Sequence, residues 1–311
     1  MRGQSARETG ISRSLTLSSR RALQEAARYI LSRQCTSGGF CFYRHGSIEE
    51  PNLKDTYYAV GGLRQLHIAT PRHGETVEYV ARASLYGQMS YLYHYAFTLS
   101  LLGEESRIGT VERRWIDQLD VALPERPPIG GVTGRLESVR RAVRLHQYFD
   151  ASVRGGVARP ESSATAARAR RTEKEHCAGH VMSWLQEWPN YPQANLWDAY
   201  VLLSLASYWD VPAPPCMREW VESLQRLPVG FGMTARSTMS NLEVVYAGVR
   251  ACELLGLAVH QPAEVLEFTL GCQMAGGGFA RAPVSLPDLQ LTYRAIHVIT
   301  ALAPEAAPLS G

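Results

Sequence analysis

The chain has 311 residues, 45% hydrophobic and 20% charged, with 26 Gly and 17 Pro, a composition that buries a core and excludes an intrinsically disordered protein. The net charge is only +3, with 32 basic against 29 acidic residues, so no dedicated nucleic-acid surface is expected; 30 of the basic residues are Arg, and only Lys54 and Lys174 are Lys. Six cysteines without a CxxC pair argue for free thiols, and no apolar run reaches the roughly 18 residues of a spanning helix, so a cytoplasmic protein without a transmembrane segment is expected.

Residues 1–19 are polar, rich in Arg and Ser and without the apolar stretch of a secretory signal, and are expected to form a disordered tail. From residue 20 onward Leu23, Ala26, Ala27, Tyr29 and Ile30 recur near helical spacing with Arg and Glu between them, which predicts an amphipathic helix. It leads into Gln34, Gly38 and Phe40, a Q-x-x-x-G-x-F segment that returns at Gln273, Gly277 and Phe279. There the glycines supply a tight reversal, and the aromatic ring fills the groove between successive helices.

An apolar helix is predicted next, from Asn52 in NLKDTYYAV. Its pattern, a polar residue, Leu, three variable residues and Tyr, recurs from Asn195, Asn241 and Asp288, placing Tyr57, Tyr200, Tyr246 and Tyr293 in one slot. Tyr95 and Arg140 fill the same slot in the intervening sequence, Arg140 as the weakest match, and six repeats result. Each is helix, Gly-aromatic turn, loop, helix. Residues 150–175 are polar and rich in Arg, Ala and Ser and are expected to be a mobile insertion. The repeats span 20–305 as one domain, leaving 306–311 as a tail.

The Q-x-x-x-G-G-F turn followed by P-N-L-x-D-T-Y-Y-A-V resembles the repeats of prenyltransferase β-subunits and squalene–hopene cyclases. The resemblance implies an all-α fold, a six-hairpin α/α toroid with two concentric rings of helices around a cavity that in the family holds an isoprenoid chain. It covers residues from about 20 to 303, most closely in the first, fifth and sixth repeats. Cyclases of this family carry Asp-x-Asp-Asp at an inner-helix start, with the middle acid as proton donor. Asn52-Leu53-Lys54-Asp55 aligns with that motif and puts Lys54 in the donor's place, where an ammonium would orient an anion rather than protonate an alkene. Asp55 reads either as a catalytic remnant or as a helix-capping residue. Protein prenyltransferases place zinc ligands at the same helix starts, but here those positions hold Glu243 and Val245, then Gln290 and Thr292. His94 is the one His at an inner-helix start, and His176, Cys177 and His180 have metal-capable spacing without an evident third ligand.

Arg44, Arg135, Arg236 and Arg281 follow the Gly-aromatic turns by two to five residues, and Gly134-Arg135 matches the Gly-Arg with which family prenyltransferases hold a diphosphate. Tyr57, Tyr58, Tyr91, Tyr93, Tyr95, Trp197, Tyr200, Tyr246 and Tyr293 would line the cavity, where aromatic faces stabilise cations or simply pack. The leading expectation is a terpene cyclase or prenyltransferase-like enzyme acting on an isoprenoid, with Lys54, Asp55, His94 and Glu243 as candidate catalytic groups. No metal is expected, apart from Mg2+ accompanying a diphosphate substrate, and the sequence names no protein partner. Two other readings stand beside it: a non-catalytic isoprenoid-binding or scaffold toroid, and an (α/α)-barrel glycosidase using carboxylates among Glu137, Asp198, Glu243 and Asp288.

Overall fold

Amphipathic and nearly all-apolar segments alternate along the sequence, and in the computed structural model they become twelve α-helices among the described residues, which are 12–45, 48–85, 88–119, 121, 123, 133–153, 164–226 and 230–307. In chain order these are α1 (Arg13–Ser32), α2 (Leu53–Gln65), α3 (His73–Ala81), α4 (Met89–Leu102), α5 (Thr110–Asp117) and α6 (Thr133–Val153). They continue as α7 (Ala164–Glu187), α8 (Leu196–Tyr208), α9 (Pro215–Ser223), α10 (Leu242–Leu255), α11 (Pro262–Gly271) and α12 (Leu289–Leu302). Taken in order they form six hairpins, and the second helix of each carries Tyr57, Tyr95, Arg140, Tyr200, Tyr246 or Tyr293, the recurrent slot of the sequence. Strands are confined to two antiparallel pairs of two residues each, β1 (Arg44–His45) with β2 (Ile48–Glu49) and β3 (Gln225–Arg226) with β4 (Gly230–Phe231).

The chain divides into two compact units, one of residues 1–108, 225–249 and 259–311, the other of 109–224 and 250–258. In the first unit the hairpins at the two ends of the sequence share a core: Leu23 and Ile30 of α1, Leu63 of α2, Leu266 of α11 and Ile296 of α12 are buried together. The two Q-x-x-x-G-x-F turns explain how. Gln34 Nε2 donates to the Pro71 carbonyl at 2.7 Å and straps the first turn toward α3; Gln273 Nε2 donates to the carbonyls of Ala22 and Gly277, both at 2.9 Å, and straps the last turn onto α1. Gly38 (φ +91°) and Gly277 (φ +87°) lie against the backbone of Glu75 and of Glu25 respectively. A side chain at either would collide with that next helix, in a conformation L-residues avoid.

Phe40 and Phe279, behind these glycines, are fully buried, a gain of about 1.5–3 kcal/mol each. The Phe40 amide donates to Thr56 Oγ1 and the Phe279 amide to Thr292 Oγ1, each at 3.0 Å. Each threonine in turn donates to the carbonyl of the residue capping its own helix, Asn52 or Asp288. One buried hydroxyl thus ties a turn to the inner helix that follows it.

Three expectations about chain order are modified. Helix α1 starts at Arg13, inside the segment expected to be a disordered tail, because Ser12 caps it and Thr16 and Arg20 bond to Glu305; residues 1–11 lie outside the described residues. The short helical turn Pro304–Ala306 packs on α1 for the same reason, and 308–311 lie outside the described residues. The expected insertion is helical where it is described, through Val153 and again from Ala164, consistent with its Ala and Arg content, while 154–163 lie outside. The second unit packs α6 and α7 on α8 over Leu136, Val181, Leu185, Trp188 and Leu202, all fully buried.

Candidate functional site

The inner helices begin with one local device. Asn52 caps α2 by accepting from the Asp55 amide (2.9 Å), and its own amide group donates to Asp55 Oδ2 (2.7 Å). Asn195 and Asp198 repeat this at the start of α8 with the same distances. An N-L-x-D sequence is therefore a reciprocal cap, in which a carboxylate in the first turn also suits the positive end of the helix dipole. Asp55 is buried, and that burial raises its pKa against the lowering effects of Asn52 and Lys54. Asp288, the cap of α12, is likewise raised by burial, with Lys54 and Arg294 opposing the shift and the Asp55 charge adding to it. Lys54 itself is exposed.

Beyond these starts, three neighbouring helices of the first unit pool their aromatic residues. Tyr57 and Tyr58 of α2, Tyr93 and His94 of α4 and Tyr293 of α12 form one cluster: Tyr57 lies 5.7 Å from Tyr93, 5.3 Å from His94 and 6.4 Å from Tyr293, and Tyr58 lies 5.5 Å from Tyr293. Gly61 makes this approach possible, since a Cβ there would sit 3.0 Å from the Tyr293 ring. Tyr57, Tyr93 and His94 are buried, whereas Tyr58 and Tyr293 are half-buried and present the accessible side. The Tyr58 hydroxyl accepts from Gln290 Nε2 at 3.0 Å.

A charged group adjoins α12 that the sequence reading did not single out. Arg294 is buried, ion-paired through Nη1 to Glu243 Oε1, with its guanidinium 5.7 Å from the centre of the Tyr246 ring. Arg281 reaches the other oxygen of the same carboxylate at 3.2 Å and is more than half exposed. His297, one turn after Arg294, stacks edge-on to Tyr246 at 5.5 Å. Two guanidiniums on one carboxylate leave a positive balance, suited to an anion. The signal for Arg294 was a lone charge on an otherwise apolar inner helix, which belongs inside only if paired.

Arg236 is exposed on the loop before α10, its backbone amide on Thr234 Oγ1, and the side chain of Arg44 lies outside the described residues. Arg135, Trp197 and Tyr200 belong to the second unit. Arg135 is an exposed residue in the first turn of α6. Trp197 and Tyr200 stack edge-on at 5.7 Å, with Arg140 5.8 Å over the Tyr200 ring. Glu137 is half-buried, and the loss of water there raises its pKa, but Arg140 and Arg141 outweigh that and hold it low. Of the carboxylates weighed for a glycosidase, Glu137 and Glu243 are ion-paired, and Asp198 and Asp288 serve helix caps.

The zinc positions of α10 and α12 do not fit that metal: Val245 offers no donor, Glu243 is held by two arginines, and the Thr292 hydroxyl is committed to the backbone. His176 and His180 stack 4.3 Å apart, and among the described residues no group of three or more His, Cys, Asp or Glu gathers to hold a metal ion. An open cleft of about 900 Å³ lies where α3 meets the starts of α2 and α4, lined by Leu53, Glu75, Glu78, Tyr79, Arg82 and Tyr91 among others. Burial pushes the Tyr79 hydroxyl up to about 12. The cleft contains none of the clustered rings, and its lining mixes apolar side chains such as Leu53 and Tyr91 with the charged Glu75, Glu78 and Arg82.

The hairpin order, the docked Gly-aromatic turns and the inner-helix aromatics define a class of protein, and a family comparison agrees. The prenyltransferase alpha-alpha toroid domain matches residues 11–94 and 215–309, together more than half of the chain. The chain therefore belongs to the prenyltransferase α-α toroid family, with the all-α toroid fold of that family. A comparison with curated proteins finds no match. No helix among the described residues is long and apolar enough to cross a membrane.

Proposed function

We propose that this protein binds an isoprenoid diphosphate and acts on it as a terpene cyclase or prenyltransferase-like enzyme. Two observations carry the reading: the five-membered aromatic cluster, and the buried Arg294 with its partners Glu243 and Arg281, Arg294 following Tyr293 of the cluster on the same helix, α12. The hydrocarbon chain would lie along Tyr58 and Tyr293, with Tyr57, Tyr93 and His94 behind them, and the diphosphate would face Arg281 and Lys54. Ring faces stabilise an allylic cation as the carbon–oxygen bond breaks, by about 0.5–2 kcal/mol for each well-placed ring. Arg281 would neutralise the departing diphosphate, while Arg294, held by Glu243, fixes the carboxylate that positions Arg281.

A non-catalytic isoprenoid-binding toroid is the second reading. What favours it is Lys54 in the acid's place and the commitment of Glu243 to two arginines. Titration calorimetry with prenyl diphosphates of increasing chain length, followed by product analysis, separates the two. Binding should weaken about 10- to 150-fold in Arg281→Ala, the equivalent of one charge-assisted contact of about 1.5–3 kcal/mol. Binding without turnover favours the second reading, and no binding to the wild-type protein refutes both.

A further inference from the structure

Scattered apolar side chains on a protein surface are ordinary, but here they are concentrated. Of eleven exposed large hydrophobic residues among those described, six sit on the three loops that lead into α2, α10 and α12: Phe42, Tyr43, Ile48, Met239, Val284 and Leu286. Three are almost fully exposed, Met239 at 81%, Val284 at 96% and Leu286 at 78%. All three loops belong to the first unit and lead into the starts of its inner helices. The Arg281 carbonyl accepts from the Leu242 amide at 3.0 Å, joining the last loop to the start of α10, and Asp288 at the start of α12 feels the charges of Lys54 and Asp55 at the start of α2.

We propose that this end of the unit is a docking surface for a lipid bilayer bearing anionic headgroups. The apolar residues project from three separate loops, which suits an acyl layer that deforms around each one; a protein partner needs a continuous patch of matching shape. Charge selects the kind of lipid. Residues 232–241 and 280–287 contain Arg236 and Arg281 and no carboxylate, with Arg281 sharing Glu243 with the buried Arg294, and exposed Lys54 adds a third cation at the start of α2. On the first loop, Glu49 is engaged by the amide and hydroxyl of Thr36, while Glu50 is exposed and works against the attraction. Phe42 and Tyr43 are of the kind that anchors at headgroup level. The surface rests on the proposed function in one respect: a substrate with a long isoprenoid tail partitions into lipid, and two of these loops stand at the starts of α2 and α12, which carry Tyr57, Tyr58 and Tyr293 of the aromatic cluster.

The test is flotation of the full chain with phosphatidylcholine–phosphatidylglycerol vesicles and with phosphatidylcholine alone, for the wild type and for Met239→Ser/Val284→Ser/Leu286→Ser. The wild type should float with the mixed vesicles and less with phosphatidylcholine alone. The triple variant should lose at least about tenfold in partitioning, since each lost apolar group removes membrane affinity, with an unchanged melting curve because none of the three is buried. Failure of the wild type to float, or flotation of the variant as strong as the wild type's, overturns the proposal. So does flotation that does not depend on phosphatidylglycerol, or a wild-type dimer that the variant abolishes. Binding of a short, water-soluble prenyl diphosphate without vesicles is measured alongside: its failure bears on the proposed function, and failure to float bears on the surface.

Discussion

Replacing Gly277 by Ala should cost about 2–5 kcal/mol of stability. The residue has φ +87°, and an added Cβ would meet the Glu25 carbonyl oxygen and stand 2.8 Å from its carbon. The left-handed conformation alone costs roughly 1–2 kcal/mol for an L-residue. Relief of the clash requires moving the α1 backbone, an overpacking cost of another 1–3 kcal/mol or so. It also lengthens the bonds from Gln273 to Ala22 and Gly277. Gly276→Ala is the control, since nothing lies within 4 Å of its Cβ position. All six Trp residues fall within 109–224, so Trp fluorescence follows the second unit, while urea unfolding followed by far-ultraviolet circular dichroism also senses the first. The variant should lower the dichroism midpoint without changing its slope, and the control should shift it by less than about a quarter as much. Equal midpoints for Gly277→Ala and Gly276→Ala would refute the docking of the last turn on the first helix.

Thr292→Val should cost about 1–3 kcal/mol in the same assay by leaving the buried Phe279 amide without its acceptor, and Thr56→Val should do likewise at Phe40; a shift under about 0.3 kcal/mol at both would show that the threonine ties are dispensable. Asp55 has a folded pKa raised by burial, so its contribution is full below its ordinary value of 3.8 and fades as pH rises through the raised value. The wild type should therefore lose stability relative to Asp55→Asn between about pH 3 and pH 7, and a difference that stays flat or reverses contradicts the buried, desolvated carboxyl. Glu137 behaves oppositely: Arg140 and Arg141 depress it despite partial burial, so Glu137→Gln should be most costly above about pH 5 and nearly neutral in acid well below its ordinary 4.5, as read from urea midpoints.

The repeat was legible because its parts are local. A polar residue, Leu and a Tyr at fixed offset mark each inner-helix start, and Gln34 through Phe40 mark a turn whose glycines leave little freedom of interpretation. Which helix each turn docks upon was not legible, since contacts such as Gly277 with Glu25 join residues 252 positions apart. Arg294 escaped because charge on an inner helix has meaning only once Glu243 is seen opposite it. Arg135 matched a motif residue for residue, yet belongs to the second unit, exposed in the first turn of α6. The start of α1 was hidden by its polar composition, which Ser12 and the contacts to Glu305 offset only in three dimensions.

The central claim is that an isoprenoid lies against the aromatic cluster of α2, α4 and α12. Photolabelling with a diazirine-bearing prenyl diphosphate, followed by peptide mapping, tests it most directly. The account predicts adducts on peptides containing Tyr57, Tyr58, Tyr93 or Tyr293 that disappear with excess unlabelled prenyl diphosphate. Adducts confined to other helices, or labelling that the unlabelled compound does not compete away, would contradict it.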